Sequence, residues 1–344
     1  MSFFLSPLSS IYGRAAAARS SAYRRGWLRT RRLSHPVISV GNLTLGGSGK
    51  TPLVALIAKL LLNHGVIPAI LTRGYARKKG PSLILLDPSN ERAPDPREVG
   101  DEPALLAVAL PDVPIAVCAD RYRGGRAAEA QFQIGAFLLD DGFQHLRLAR
   151  DLDIVALDAT QEISRGATLP AGRQRERLSA LTRAHAAVVT RAGQADSIGI
   201  ERQARGINSA IKIFHGDTKL RGWVEVSSGR HLPPNWLLGR RVCAFCAIGN
   251  PQAFFRDLVR WGMELAGAHA FRDHHAYTNS DVAHLVLSAQ SAGGATLVTT
   301  AKDVMNLPPD WKPDLNAFAC LIEAEIAEEG EFEAALLAVL PHVS

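Results

Sequence analysis

The sequence predicts an α/β protein built on a parallel sheet with helices on both faces, followed by a smaller α/β lobe joined to it by a β-ribbon. Three observations carry this reading. Val37 to Thr51 is an apolar run emptying into a glycine-rich turn that ends in Lys50 and Thr51. The runs SLILLD, PIAVCAD, AFLLDDG and DIVALDA are short, apolar and end in aspartate, which suits parallel strands buried on both faces. From Val242 onward a second alternation of strand and helix patterns begins.

In chain order, residues 1–33 come first and are basic. Residues 1–86 hold thirteen Lys or Arg and no Asp or Glu, so in a chain of net charge +6 the remainder is −7. Seven of the thirteen are arginines between Arg14 and Arg32, interleaved with Leu8, Ile11, Tyr12, Tyr23 and Trp27. Phe4, Leu8, Ile11, Tyr12, Ala15, Ala18 and Ala22 recur at helical spacing, with Arg14, Arg24 and Arg25 on another face. Such a helix can lie in a headgroup layer, where each arginine near an anionic surface contributes about 1 kcal/mol. A transit peptide, a nucleic-acid arm and a solvated tail compete with that reading. The arginines run straight into the strand that feeds the glycine turn, which counts against a tail. No helix-turn-helix, RNP or zinc-finger pattern follows, which counts against nucleic acid. No run of 18 apolar residues and no signal-peptide pattern occurs, so a peripheral contact with an anionic membrane surface, from the cytoplasmic side, is expected.

Residues 34–207 read as a P-loop NTPase-type domain. Gly46, Gly47 and Gly49 have no Cβ, so the turn can aim several N–H groups, that of Ser48 among them, at one anion. The helix from Pro52 adds its positive N-terminal end. Lys50 is placed to reach the β- and γ-phosphates of ATP and the Thr51 hydroxyl to ligate Mg²⁺. The turn departs from the common pattern at Thr44, where glycine is usual, and from the deviant lysine-bearing pattern at Leu45. Ninety residues beyond Lys50, Asp140 and Asp141 end an apolar strand, a position from which a carboxylate holds Mg²⁺. Paired aspartates at a strand end also occur in loops as helix caps, the lesser reading here.

Near residue 207 the pattern changes. IKIFHGD and RGWVEVSSG read as the two strands of a ribbon over 208–240, and 241–344 as the C-terminal lobe. Cys243 and Cys246 form a lone C-x-x-C inside a strand-like run, which reads as buried reduced thiols rather than a zinc site.

At Asp140 to His145 the chain spells DDGFQH, and with it come PLSSIYG at Pro7, YRRGW at Tyr23, VISVGNLTLGGSGKTP at Val37, RGYARK at Arg73, VGDEP at Val99, DRYRGG at Asp120, LPAGRQRE at Leu169, GNPQAFF at Gly249, FRDHHAYT at Phe271 and TTAKD at Thr299. In this order and spread they make the chain resemble the tetraacyldisaccharide 4′-kinases, the lipid A 4′-kinases of Gram-negative bacteria. It departs from the family at Gln174, where leucine is usual, at Ala301, where glutamate is usual, and at Ala76, often glycine.

The resemblance implies phosphoryl transfer from Mg-ATP to the 4′-hydroxyl of a lipid A disaccharide 1-phosphate at the cytoplasmic face of the inner membrane. It implies Asp101 as general base with His274 as its partner, and Thr44 with the glycine turn and Glu176 around the nucleotide. Arg73, Arg121 and His145 then face lipid or nucleotide phosphate. No nucleic acid and no obligate protein partner are expected. Read from the residues alone, Asp101 could cap a helix and His274 could merely bond within a loop. A nucleotide-switch protein acting through partners is the rival. Guanine recognition wants N-K-x-D, whereas Lys302 and Asp303 are adjacent.

Overall fold

The computed structural model describes residues 2–75, 77, 80–90, 93–161, 167–308, 311 and 316–341, with side chains from Pro7 onward. The side chains of Phe3 and Phe4, and Ala76, lie outside the described residues. Contacts divide the chain into two compact units. The first comprises residues 1–218 and 324–344, the second 219–323.

The first unit opens with α1 (Ser2–Arg24) and continues with β1 (Val37–Asn42), α2 (Lys50–Asn63), β2 (Pro68–Thr72), β3 (Leu83–Leu86), α3 (Pro96–Val99) and α4 (Asp101–Ala109). There follow β4 (Ile115–Cys118), α5 (Arg121–Gln131), β5 (Ala136–Asp140), β6 (Leu152–Asp158), β7 (Ala186–Thr190), α6 (Ser197–Ile207) and the start of β8 (Lys212–Glu225). The strand order is β8-β7-β6-β1-β5-β2-β4-β3, parallel throughout except at β3. Strands β1, β2, β4, β5 and β6 are buried along their whole length, as continuous apolar runs require. Leu33, Leu71, Phe137 and Leu139 belong to one core cluster of this unit, and Leu43, Phe143, Val155 and Leu181 to another.

Two strand expectations are corrected. The run SLILLD was expected parallel and buried; β3 is antiparallel to β4 and only half-buried, because it has a neighbour on one side alone. The expected two-stranded ribbon is one strand of 14 residues, β8, whose far end pairs with the short β9 (His231–Leu232). Gly216 and Gly222 lie within this one strand and serve close packing. A Cβ at Gly216 would stand 3.0 Å from Val188, and one at Gly222 would stand 2.6 Å from the Leu232 carbonyl oxygen.

The second unit holds β9, β10 (Arg241–Cys246), α7 (Pro251–Arg260), β11 (Glu264–Ala270), α8 (Asn279–Ser291), β12 (Thr296–Thr300), α9 (Ala301–Val304) and most of β13 (Ala317–Ile326). Its strands run β11-β10-β12-β13, all parallel. Phe254, Phe255 and Leu258 of α7 fill one core cluster and Val282, Leu285 and Ala289 of α8 another. Cys118, Cys243, Cys246 and Cys320 are buried and unbridged.

After β13 the chain rejoins the first unit through α10 (Glu329–Leu337), so the division falls at 218/219 and 323/324 rather than at 207 and 240. Phe332 of α10 is buried edge-on against Phe214 at 5.0 Å, and Glu333 pairs with His64 at 2.7 Å.

The N-terminal helix forms as expected and is fastened to the first unit near Ser9 and Gly13. Thr168 Oγ1 donates to the Ser9 carbonyl (2.7 Å), Ala171 N donates to Ser9 Oγ (2.9 Å), and a Cβ on Gly13 would stand 3.2 Å from Thr168 Oγ1. Small residues make the contact. Leu8, Ile11 (63% exposed) and Tyr12 point outward, and beyond the helix Trp27 is 73% exposed.

Candidate active site

Because the strands are parallel, Asn42, Thr72, Cys118, Asp140, Asp158 and Thr190 end at the same edge of the first unit's sheet. The glycine turn lies there between β1 and α2. Gly46 (φ 112°) and Gly49 (φ 77°) adopt backbone that L side chains rarely adopt. Gly41 is required for a different reason, since a Cβ there would stand 2.5 Å from Phe143 Cβ.

The turn is braced on both sides. Asn42 Nδ2 donates to Ser48 Oγ (2.8 Å), and Gln144 Nε2 donates to the Asn42 carbonyl (2.9 Å). Thr190 Oγ1 donates to the Ser48 carbonyl (3.2 Å), and Arg191 Nη1 to the Gly47 carbonyl (3.3 Å). Arg191 itself is buried, left-handed (φ 56°) and paired with Asp158 at 2.6 Å. From the other side Leu45 N donates to the Arg173 carbonyl (2.7 Å) and Arg175 N to the Leu43 carbonyl (2.7 Å). Thr44 pairs there with Gln174 and donates from Oγ1 to Gln161 (3.4 Å), so the residue in place of glycine is anchored.

Lys50 is the first residue of α2, and its Nζ stands 3.5 Å from Asp141 Oδ1. Arg175 Nη1 donates to both oxygens of Asp141 at 2.7 and 2.6 Å. Burial pushes the Asp141 carboxyl up, but Lys50, Arg175 and Arg121 outweigh it and hold it at about 2. Asp140 goes the other way. Burial, then the charges of Asp141 and Glu102, push it up to about 6, against Lys50 and a hydrogen bond from Thr72 Oγ1 (3.1 Å). One carboxylate is therefore fixed as an anion while its neighbour is held near the point of protonation.

Arg121 is buried at the start of α5, lowered in pKa by burial and sustained by Asp141 and Asp140, with Arg73 also in its field. Its Nε has no hydrogen-bond partner among the described residues. His145 is held down to about 4 by burial and by Arg121, and its buried Nε2 likewise lacks a partner. Asp101 is the first residue of α4 and is buried; Gly100 (φ 100°) takes the N-cap position, so Asp101 is not the cap. The turn at Gly74 packs on that segment, since a Cβ there would stand 2.7 Å from the Val99 carbonyl oxygen. Arg73 and Asp101 are thereby brought to one edge.

Glu176 is engaged elsewhere than expected. It is buried and paired with Arg183 at 2.6 Å, and that guanidinium lies 3.7 Å over the Phe143 ring. The basic neighbour Arg175, which the sequence reading passed over, is the one that reaches Asp141.

His274 lies in the second unit. Its backbone is left-handed (φ 60°), its N–H donates to the Ala247 carbonyl (3.2 Å), and its Nε2 stands 3.4 Å from Lys302 Nζ. Lys302 Nζ also donates to Asp273 (3.4 Å). Asp303 is buried and accepts from Ala247 N (2.7 Å), Tyr277 OH (2.8 Å) and Thr300 Oγ1 (2.5 Å). The T-T-A-K-D segment thus fixes the loop after β10, on which His274 leans.

The family model for tetraacyldisaccharide-1-P 4′-kinase matches residues 1–341. The chain belongs to the tetraacyldisaccharide 4′-kinase family. It is 38% identical over 336 residues to the tetraacyldisaccharide 4′-kinase of Geobacter metallireducens, covering 98% of this chain and 97% of that one. It is 42% identical over 313 residues to that of Koribacter versatilis, covering 88% of each. The crystal structure of the "apo" form of LpxK from Aquifex aeolicus in complex with ATP superposes with a TM-score of 0.76 at 29% identity, covering 99% of both chains.

Family membership makes the chain an ATP-using phosphotransferase, and the nucleotide-switch alternative is set aside. Its oxygen donors suit Mg²⁺. Among the described residues no three His, Cys, Asp or Glu side chains form a cage. Mg²⁺ is ordinarily held by one or two carboxylates with substrate phosphates and water, which Asp140, Asp141 and Thr51 can supply.

Proposed function

We propose that the chain transfers the γ-phosphoryl group of ATP to the 4′-hydroxyl of a tetraacylated glucosamine disaccharide 1-phosphate. The observation that carries the proposal is the carboxylate pair at the end of β5 beside the glycine turn, with Asp141 pinned by Lys50 and Arg175 and Asp140 buried next to it.

In this reading the amides from Gly46 to Thr51 and the Lys50 ammonium hold the β- and γ-phosphates. Mg²⁺, when bound through Thr51, Asp140 and Asp141, neutralises charge developing on the transferred group. Asp101 accepts the proton of the 4′-hydroxyl, and His274 is the second catalytic residue of this reading. The unpartnered His145 Nε2 and Arg121 Nε face the sugar or a phosphate of the acceptor, with Arg73 at the rim. Thr44 and Glu176 support the nucleotide indirectly, by fixing the segments around the loop.

No helix among the described residues is long and apolar enough to cross a membrane. We place the protein on the cytoplasmic face of the inner membrane, with the outward Leu8, Ile11, Tyr12 and Trp27 among the headgroups of anionic lipids and the arginines beside them.

Incubation with Mg-ATP and the disaccharide 1-phosphate lipid should yield a product heavier by one phosphate; absence of that product under saturating conditions would falsify the assignment. Asp101→Ala and His274→Ala should each lower kcat by about 10²–10⁴, the usual worth of general base catalysis, while Mg-ATP affinity stays within twofold. Full turnover in both variants removes the proposed base.

A further inference from the structure

The arginines ahead of β1 build a second cationic site in the first unit. Arg29, Thr30, Arg31, Arg32 and Tyr122 line a cavity of about 330 Å³. Its backbone is fixed rather than frayed. Arg31 N donates to the Arg147 carbonyl (2.8 Å), Ala149 N to the Arg31 carbonyl (2.8 Å), and Thr30 Oγ1 to the Leu146 carbonyl (3.3 Å).

The charges are unequally answered. Arg32 pairs with Asp151 at 2.7 Å. Arg31 lies 5.0 Å over the Tyr122 ring, a contact that positions the guanidinium without neutralising it. Among the described residues neither Arg29 nor Arg31 pairs with a carboxylate, and no acidic residue lines the cavity. Two uncompensated guanidinium groups over a cavity of this size suit an oxyanion with several acceptor oxygens.

The surroundings narrow the class of anion. Trp27 and Leu28, both exposed, immediately precede Arg29, and an aromatic and an aliphatic side chain beside arginines is the composition of a membrane interface. On the other flank Tyr122 follows Arg121, and Arg147 is two residues from His145.

We propose that this cavity, outside the phosphate loop, binds the phosphate group of a lipid at the bilayer surface. That group comes either from a bulk anionic phospholipid or from the phosphate already on the acceptor. The second source rests on the kinase reading given above; the first does not.

The test uses the full chain and the variants Arg29→Gln, Arg31→Gln, their combination, and Arg31→Lys. Flotation is measured on phosphatidylcholine vesicles with and without phosphatidylglycerol. Steady-state kinetics with the disaccharide 1-phosphate are measured in neutral detergent micelles. An arginine at an anionic surface is worth about fivefold in affinity, so the double variant should lose about 25-fold and Arg31→Lys little.

Loss confined to flotation on phosphatidylglycerol identifies the bulk lipid. A raised acceptor KM with unchanged kcat and unchanged flotation identifies the acceptor's own phosphate. Wild-type behaviour of the double variant in both arms overturns the site. Arg29→Gln alone, on an exposed side chain with no hydrogen bond among the described residues, guards against misfolding as an explanation. A wild-type protein that makes no phosphorylated product would fail the kinase reading while leaving the flotation arm intact.

Discussion

Asp141 sits at φ 52° between two cations, and this single residue links the metal edge of the sheet to the segment at 173–176. Removing Arg175 leaves Lys50 as its nearest cation, which draws the lysine toward the carboxylate and away from phosphate. Arg175→Ala should weaken Mg²⁺-dependent ATP binding by about 10- to 100-fold, the range for loss of a group that orients a metal ligand, as read by Mg²⁺ titration in calorimetry. His145 gives a pH signature. Its folded pKa of about 4 lies below the ordinary 6.5, so between those values the unfolded chain binds more protons and stability falls as pH drops. Wild type should lose stability more steeply than His145→Gln from pH 6.5 to 4, by up to about 1.4 kcal/mol per pH unit, in urea unfolding. Equal slopes would mean His145 is not held neutral by the fold.

The elements that follow from local chemistry were legible in the sequence. Val37–Asn42, the glycine turn and the helix behind Lys50 are specified by neighbours in the chain, and Asp140 and Asp141 announce a strand end by position alone. Elements decided by distant partners were not legible. The apolar run at Leu83–Leu86 reads the same whichever way it pairs, and nothing near Gly216 announces that β8 runs on unbroken past Val188. Arg191 carries no motif, yet β7 delivers it beneath the Gly47 carbonyl; Arg175 was in view beside Glu176, but only the fold shows which of the two reaches Asp141. The C-terminal helix is of the same kind. Phe332 is 1% exposed on α10 against Phe214, so Phe332→Ala should cost about 3–5 kcal/mol, seen as a lowered urea midpoint for the first unit. A midpoint unchanged within error would show that α10 does not hold that unit together.

At the scale of the whole molecule, arginines and exposed apolar side chains (Leu8, Ile11, Tyr12, Trp27 and Leu28) occur together, with no acidic residue, in the first thirty residues. Deleting residues 1–25 should release the protein from anionic vesicles in flotation while soluble Mg-ATP binding persists, because the phosphate loop draws its support from β5, β7 and residues 173–176. Retention of the shortened protein on vesicles would move the anchoring elsewhere.

Thr218 and Ala324, where the chain leaves the first unit and returns, border one small hollow together with Gly49 and Thr190. The 105 residues between them therefore enter and exit through neighbouring doors. Such a segment behaves as a cassette: its length can change without rethreading the body that carries the phosphate loop.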